Sequence, residues 1–93
     1  NDIKESITSY PISIQVKIDK DIALAKKLLE ETIEANQNLL NKENSKVTLS
    51  HATEAIVELK ALIWTKDIET SFEELSNLKL EVIKKFQENN LYD

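Results

Sequence analysis

No glycine occurs in the 93 residues, nor any cysteine or methionine, and the basic residues, twelve in all, are lysine without one arginine. Glycine is the usual residue wherever a chain must adopt φ > 0, and a chain of this length ordinarily carries about six. Its absence argues against two-residue primed hairpins, phosphate-cradling loops and open twisted sheets. Without cysteine there is no disulfide framework and no thiolate metal site. Arginine is the preferred partner for bidentate contacts to phosphates and bases. Its absence, with a net charge of −5 and no long lysine cluster, excludes the electrostatic footprint of a nucleic-acid binder. No apolar run approaches the length that spans a bilayer. Only one proline, Pro11, and one tryptophan, Trp64, are present. The chain starts at Asn1 and contains no methionine, which predicts a processed or excised mature segment, with any signal or anchor outside it.

What is present reads as helix. Apolar residues form 41% of the chain, enough for one modest core in a single domain. Ile3, Ile7 and Tyr10 have helical spacing and suggest a short N-terminal helix before Pro11. Ile14, Ile18, Ile22, Ala25, Leu29 and Ile33 continue as a helical stripe, so a first long helix is expected over 11–41. The same region carries a competing signal, because Ile12, Ile14, Val16 and Ile18 alternate with polar residues at a strand's period. No partner strand is legible elsewhere, and a lone apolar strand is an aggregation hazard, so helix is the preferred reading.

Residues 41–46 read as a polar loop, with Thr48 as the cap of a second helix over 48–65. Leu49, Ala52, Ile56, Leu59 and Ile63 supply its heptad stripe. Thr70-Ser71-Phe72-Glu73 fits a capping box opening a third helix over 70–89. The expected fold is therefore all-α: an antiparallel bundle of three long helices in one domain, with the short N-terminal helix as a fourth element.

Chemistry is sparse. His51 is the only histidine, with Glu54 and Glu58 in reach on a helix, but one histidine without a second ligand makes no metal site. The carboxylates lie beside lysines on faces expected to be solvated, and a nucleophile elbow needs glycines that are missing. No catalytic, cofactor-binding or metal-binding residue is assigned, and no enzymatic activity is expected. Trp64 lies at the border of the second helix's apolar stripe and serves either as core or as a partner contact. Ile12, Ile14 and Val16 carry the same two readings, core or docking stripe.

Two resemblances add to this. Residues 28–63, with Leu39-Leu40-Asn41, Thr48 and the phrase Leu59-Lys60-Ala61-Leu62-Ile63, resemble the helical hairpin of FIVAR-type modules in Gram-positive surface proteins. The family's aromatic entry motif is absent, and Trp64 is displaced from it. The lysine- and asparagine-rich, cysteine-free make-up is similar to that of mature spirochaetal surface lipoproteins. Both imply a bacterial cell surface and non-enzymatic contact with other molecules. The reading adopted is a secreted or surface interaction module whose expected partner is a protein bound through a helix face, or a second copy as a homodimer. A small intracellular immunity or antitoxin-type inhibitor and a structural spacer in a larger surface protein are the alternatives.

Overall fold

The computed structural model describes residues 8–92, and the short N-terminal helix expected before Pro11 falls largely outside that range. The described chain is not a helical bundle. It runs strand β1 (Thr8–Lys17), helix α1 (Ile22–Ala35), a 3-10 turn (Lys42–Asn44), strand β2 (Thr48–Ala52), strand β3 (Ile56–Thr65) and helix α2 (Ile68–Glu88). The sheet is antiparallel in the order β1-β3-β2, with both helices packed on one face.

The all-α expectation fails first at residues 12–18. Ile12, Ile14 and Val16 are buried while Ser13, Gln15 and Lys17 are exposed, the alternation of a half-buried strand. Their partner is 56–65, which the heptad reading had assigned to a helix. Val57, Leu59, Ala61, Ile63 and Thr65 all point to the core, and the register sets Ile12 opposite Ala61, Ile14 opposite Leu59 and Val16 opposite Val57. Leu59 and Ile63 are four apart, a spacing that satisfies both a helix and a strand. Two other members of the supposed stripe, Leu49 and Ile56, lie outside the core, Leu49 being 51% exposed. Burying each of the large aliphatic side chains contributes roughly 1.5–3 kcal/mol, so the period-two pairing prevails.

The missing glycine did not prevent a hairpin. Between β2 and β3 the Thr53 hydroxyl accepts from the amides of Ala55 and Ile56, both at 3.0 Å, and the Thr53 amide donates to the Ile56 carbonyl at 2.8 Å. A side chain thus closes a longer loop that requires no left-handed residue. Where left-handed backbone is required, asparagine takes it, at Asn41 (φ 55°) and Asn90 (φ 59°). Asn90 sits just past α2. There Leu91 N–H donates to Phe86 O at 2.8 Å and Asn90 N–H to Gln87 O at 3.3 Å. This is a Schellman motif, sealed by the buried pair Phe86 and Leu91.

Both helices are capped by aspartate. Asp21 accepts from Leu24 N–H at 3.0 Å and Asp67 from Thr70 N–H at 2.8 Å, so the first cap of α2 is Asp67 and not Thr70. Ala25, Leu29 and Ile33 of α1 and Leu78, Val82 and Phe86 of α2 complete the core. Thr48 opens β2 and caps no helix. Residues 28–63, a helical hairpin by resemblance, form the second half of α1, the loop after it and the β2–β3 hairpin. The third expected helix, 70–89, falls on α2.

That loop is anchored from below. Glu74, 6% exposed, accepts from Asn36 Nδ2 at 2.9 Å and from Asn38 Nδ2 at 3.0 Å. Lys42 Nζ donates to the carbonyls of Glu34 and Asn36 at the carboxyl end of α1, where a cation also favours the helix dipole. The fixed loop brings Leu40 alongside β3, its amide donating to Trp64 O at 2.8 Å.

Candidate functional site

With both helices on one side, the other face of the sheet is open. Antiparallel sheets commonly present such a face to water, and its residues are then polar. Here the residues of β1 that point outward are Ser9, Pro11, Ser13, Gln15 and Lys17, and those of β3 are Ile56, Glu58, Lys60, Leu62 and Trp64. The register divides this face into two zones. At one end Trp64 lies opposite both Ser9 and Leu40, and Leu62 lies opposite Pro11. Leu62 is 44% exposed, Leu40 is 40% exposed, Pro11 is exposed and Trp64 half-buried. Toward the middle Lys60 pairs with Ser13 and Thr48, and Glu58 with Gln15 and His51. An apolar zone of four side chains thus adjoins a polar zone that needs no further partner to be stable in water.

Trp64 is placed on the open face by parity. Its neighbours Ile63 and Thr65 point inward and are fully buried. The backbone of Trp64 is held on one side by Leu40, so its indole sits on a stretch paired with strand or loop on both sides. Ile12, Ile14 and Val16, the other residues singled out from sequence, point the opposite way into the core. Leu62, Leu40 and Pro11 were missed because nothing marked them as outward-facing until 56–65 was read with period two.

His51 is exposed on β2 opposite Glu58, whose carboxylate accepts from the Ser50 hydroxyl at 2.7 Å. Glu74 is pinned by two asparagine amides. The Thr65 and Ser71 hydroxyls bond to one another, and Thr65 also donates to Asp67 O at 2.8 Å, tying the end of β3 to the start of α2. The Thr70 amide beside Asp67 holds that carboxyl below the usual carboxylate range. Burial pushes the Tyr92 phenol up. Among the described residues no group of three or more histidine or acidic side chains could hold a metal ion. Among them, too, no helix is long and apolar enough to cross a membrane.

No protein-family model matches the chain, and no curated protein matches its sequence.

Proposed function

We propose that the chain is a non-enzymatic interaction module of a secreted or cell-surface protein, and that it docks a protein partner on the apolar end of its open sheet face. The observation that carries this reading is the cluster of Leu62, Leu40, Pro11 and Trp64 on a surface where alternation would place polar residues. Trp64 is the anchor: a large, half-buried ring on a hydrogen-bonded strand costs little conformational entropy to bind. Lys60, Ser13 and Thr48 supply a polar rim beside it.

Photo-crosslinking tests the reading directly. A crosslinking residue at Ser9, opposite Trp64, is expected to form adducts with one protein partner in the source cells. Trp64→Ala weakens that partner's binding by about 30-fold, the effect of a hot spot worth roughly 2 kcal/mol. The same crosslinker at Glu81, on the exposed side of α2, gives no such adduct. Adducts of equal yield from both positions, or adducts indifferent to Trp64→Ala, would refute the assignment. Protease accessibility on intact cells checks the surface location.

A further inference from the structure

The two edges of the sheet differ. β2 is short, exposed along its whole length and interrupted by a register shift between Leu49 and His51, features that discourage further pairing. β1 is ten residues long and regular in register with β3 throughout. Tyr92 Oη donates to the Gln15 carbonyl at 3.4 Å, whereas the Ile18 amide donates to Ala55 O at 2.9 Å. The main-chain groups of odd-numbered residues in β1 therefore point away from β3, toward the free edge. Pro11 occupies one of these positions and so removes no bond from the β1–β3 ladder. The Pro11 carbonyl and both main-chain groups of Ser13 are left with no partner among the described residues, as is the Gln15 amide.

Beside this edge runs an open groove of about 730 Å³ between β1 and α2. Ile14, Val16, Ile83 and Tyr92 give it an apolar wall, Ile83 being 36% exposed. Its charged lining is lysine alone, Lys17 and Lys79, in a chain of net charge −5. Lys79 has no ion pair among the described residues. A symmetric β1–β1 pairing of two copies would set one lysine-lined edge against another, with no carboxylate in the groove lining to meet Lys79. An acidic segment instead brings a carboxylate to the lysines that line this edge.

We propose that the β1 edge takes up an extended acidic segment of another protein as a fourth strand. Ser13 and Gln15 supply the main-chain bonds, Ile83 packs against an apolar side chain of the segment, and Lys79 pairs with a carboxylate. This surface is distinct from the face around Trp64, and it stands or falls independently of it.

The test uses isotopically labelled protein and a panel of blocked octapeptides that alternate valine with threonine and carry two aspartates. At saturation, amide exchange at Ser13 and Gln15 is expected to slow by about tenfold or more, as new ladder bonds require. Replacing the aspartates with lysine weakens binding by about tenfold, and Lys79→Glu inverts the preference, with Lys79→Gln intermediate. Trp64→Ala leaves all of this unchanged. The proposal is overturned if none of the peptides binds, if protection appears away from Ser13 and Gln15, or if the charge swap has no effect. It is equally overturned if those amides are already slow in the free protein. Slow exchange lost on dilution would identify a second copy as the occupant.

Discussion

The two faces of the β1–β3 pair are built from the same stretches of chain and differ only in residue parity. The inner face holds Ile12, Ile14, Val16, Leu59 and Ile63, none more than 6% exposed. The outer face carries Ser13, Gln15 and Lys60, then turns apolar at Pro11, Leu62 and Trp64. The inner residues explain why the protein folds, since each is surrounded by side chains from α1 and α2. The outer apolar residues have no such neighbours, and folding alone gives no reason for them. Under the proposed function, their presence separates a surface for contact from one for stability.

The sharpest way to break this comparison is to truncate an inner residue. Leu59→Ala leaves a cavity at the centre of the core and is expected to cost about 2–5 kcal/mol, read by thermal or urea unfolding. A cost below about 1 kcal/mol would mean that the inner face is not packed as described. Glu74→Ala acts at intermediate strength. It takes the acceptor from Asn36, half-buried, and Asn38, exposed, and is expected to cost about 1 kcal/mol. Faster amide exchange at Leu40 would show that the loop carrying Leu40 onto the outer face has loosened, while the exchange of Ile12 and Leu59 follows global stability only.

The smallest effect is a pH dependence. The Thr70 amide lowers the pKa of Asp67 in the folded state, so this cap stabilises α2 fully above the unfolded carboxyl value, near pH 4. Its contribution is lost as pH falls through the depressed folded value. Asp67→Ala is therefore expected to destabilise α2 at neutral pH and to make acid titration below about pH 4 shallower than in the parent chain. An unchanged acid titration would remove Asp67 from that role.

How far the sequence reaches is clearest in particular elements. The helix α2 is legible because Phe72, Leu75, Leu78, Val82 and Phe86 keep helical spacing with no competing alternation, although Phe72, expected on the buried face, is 59% exposed. Trp64 was legible as a residue with two readings, though the surface it anchors was not. Residues 12–18 show their period, but their partner at 56–65 is obscured by Leu59 and Ile63, whose spacing suits a helix as well as a strand. The β-branched run Ile56-Val57 and the outward-pointing Glu58 and Lys60 were the signals that could have exposed it. The missing glycine argues against a hairpin only where the turn needs positive φ. Thr53 closes the β2–β3 turn by hydrogen bonding, and asparagine serves where φ is positive. Absence of one residue type thus excluded one kind of turn, not the sheet. The contacts of Glu74 with Asn36 and Asn38 join positions far apart in the chain, and no local pattern announces them.

Two adjacent positions offer the most direct measurement. Leu62 and Ile63 are neighbours on β3, one facing the open surface and the other fully buried. Each is replaced by aspartate, and unfolding is measured together with crosslinking from Ser9. Ile63→Asp is expected to abolish cooperative folding, since an unpaired carboxylate in the core costs more than a small domain can spare. Leu62→Asp is expected to change stability by about 1 kcal/mol or less while eliminating the adduct. If Leu62→Asp unfolds the protein as Ile63→Asp does, or keeps the adduct intact, the division between a folding face and a docking face is contradicted.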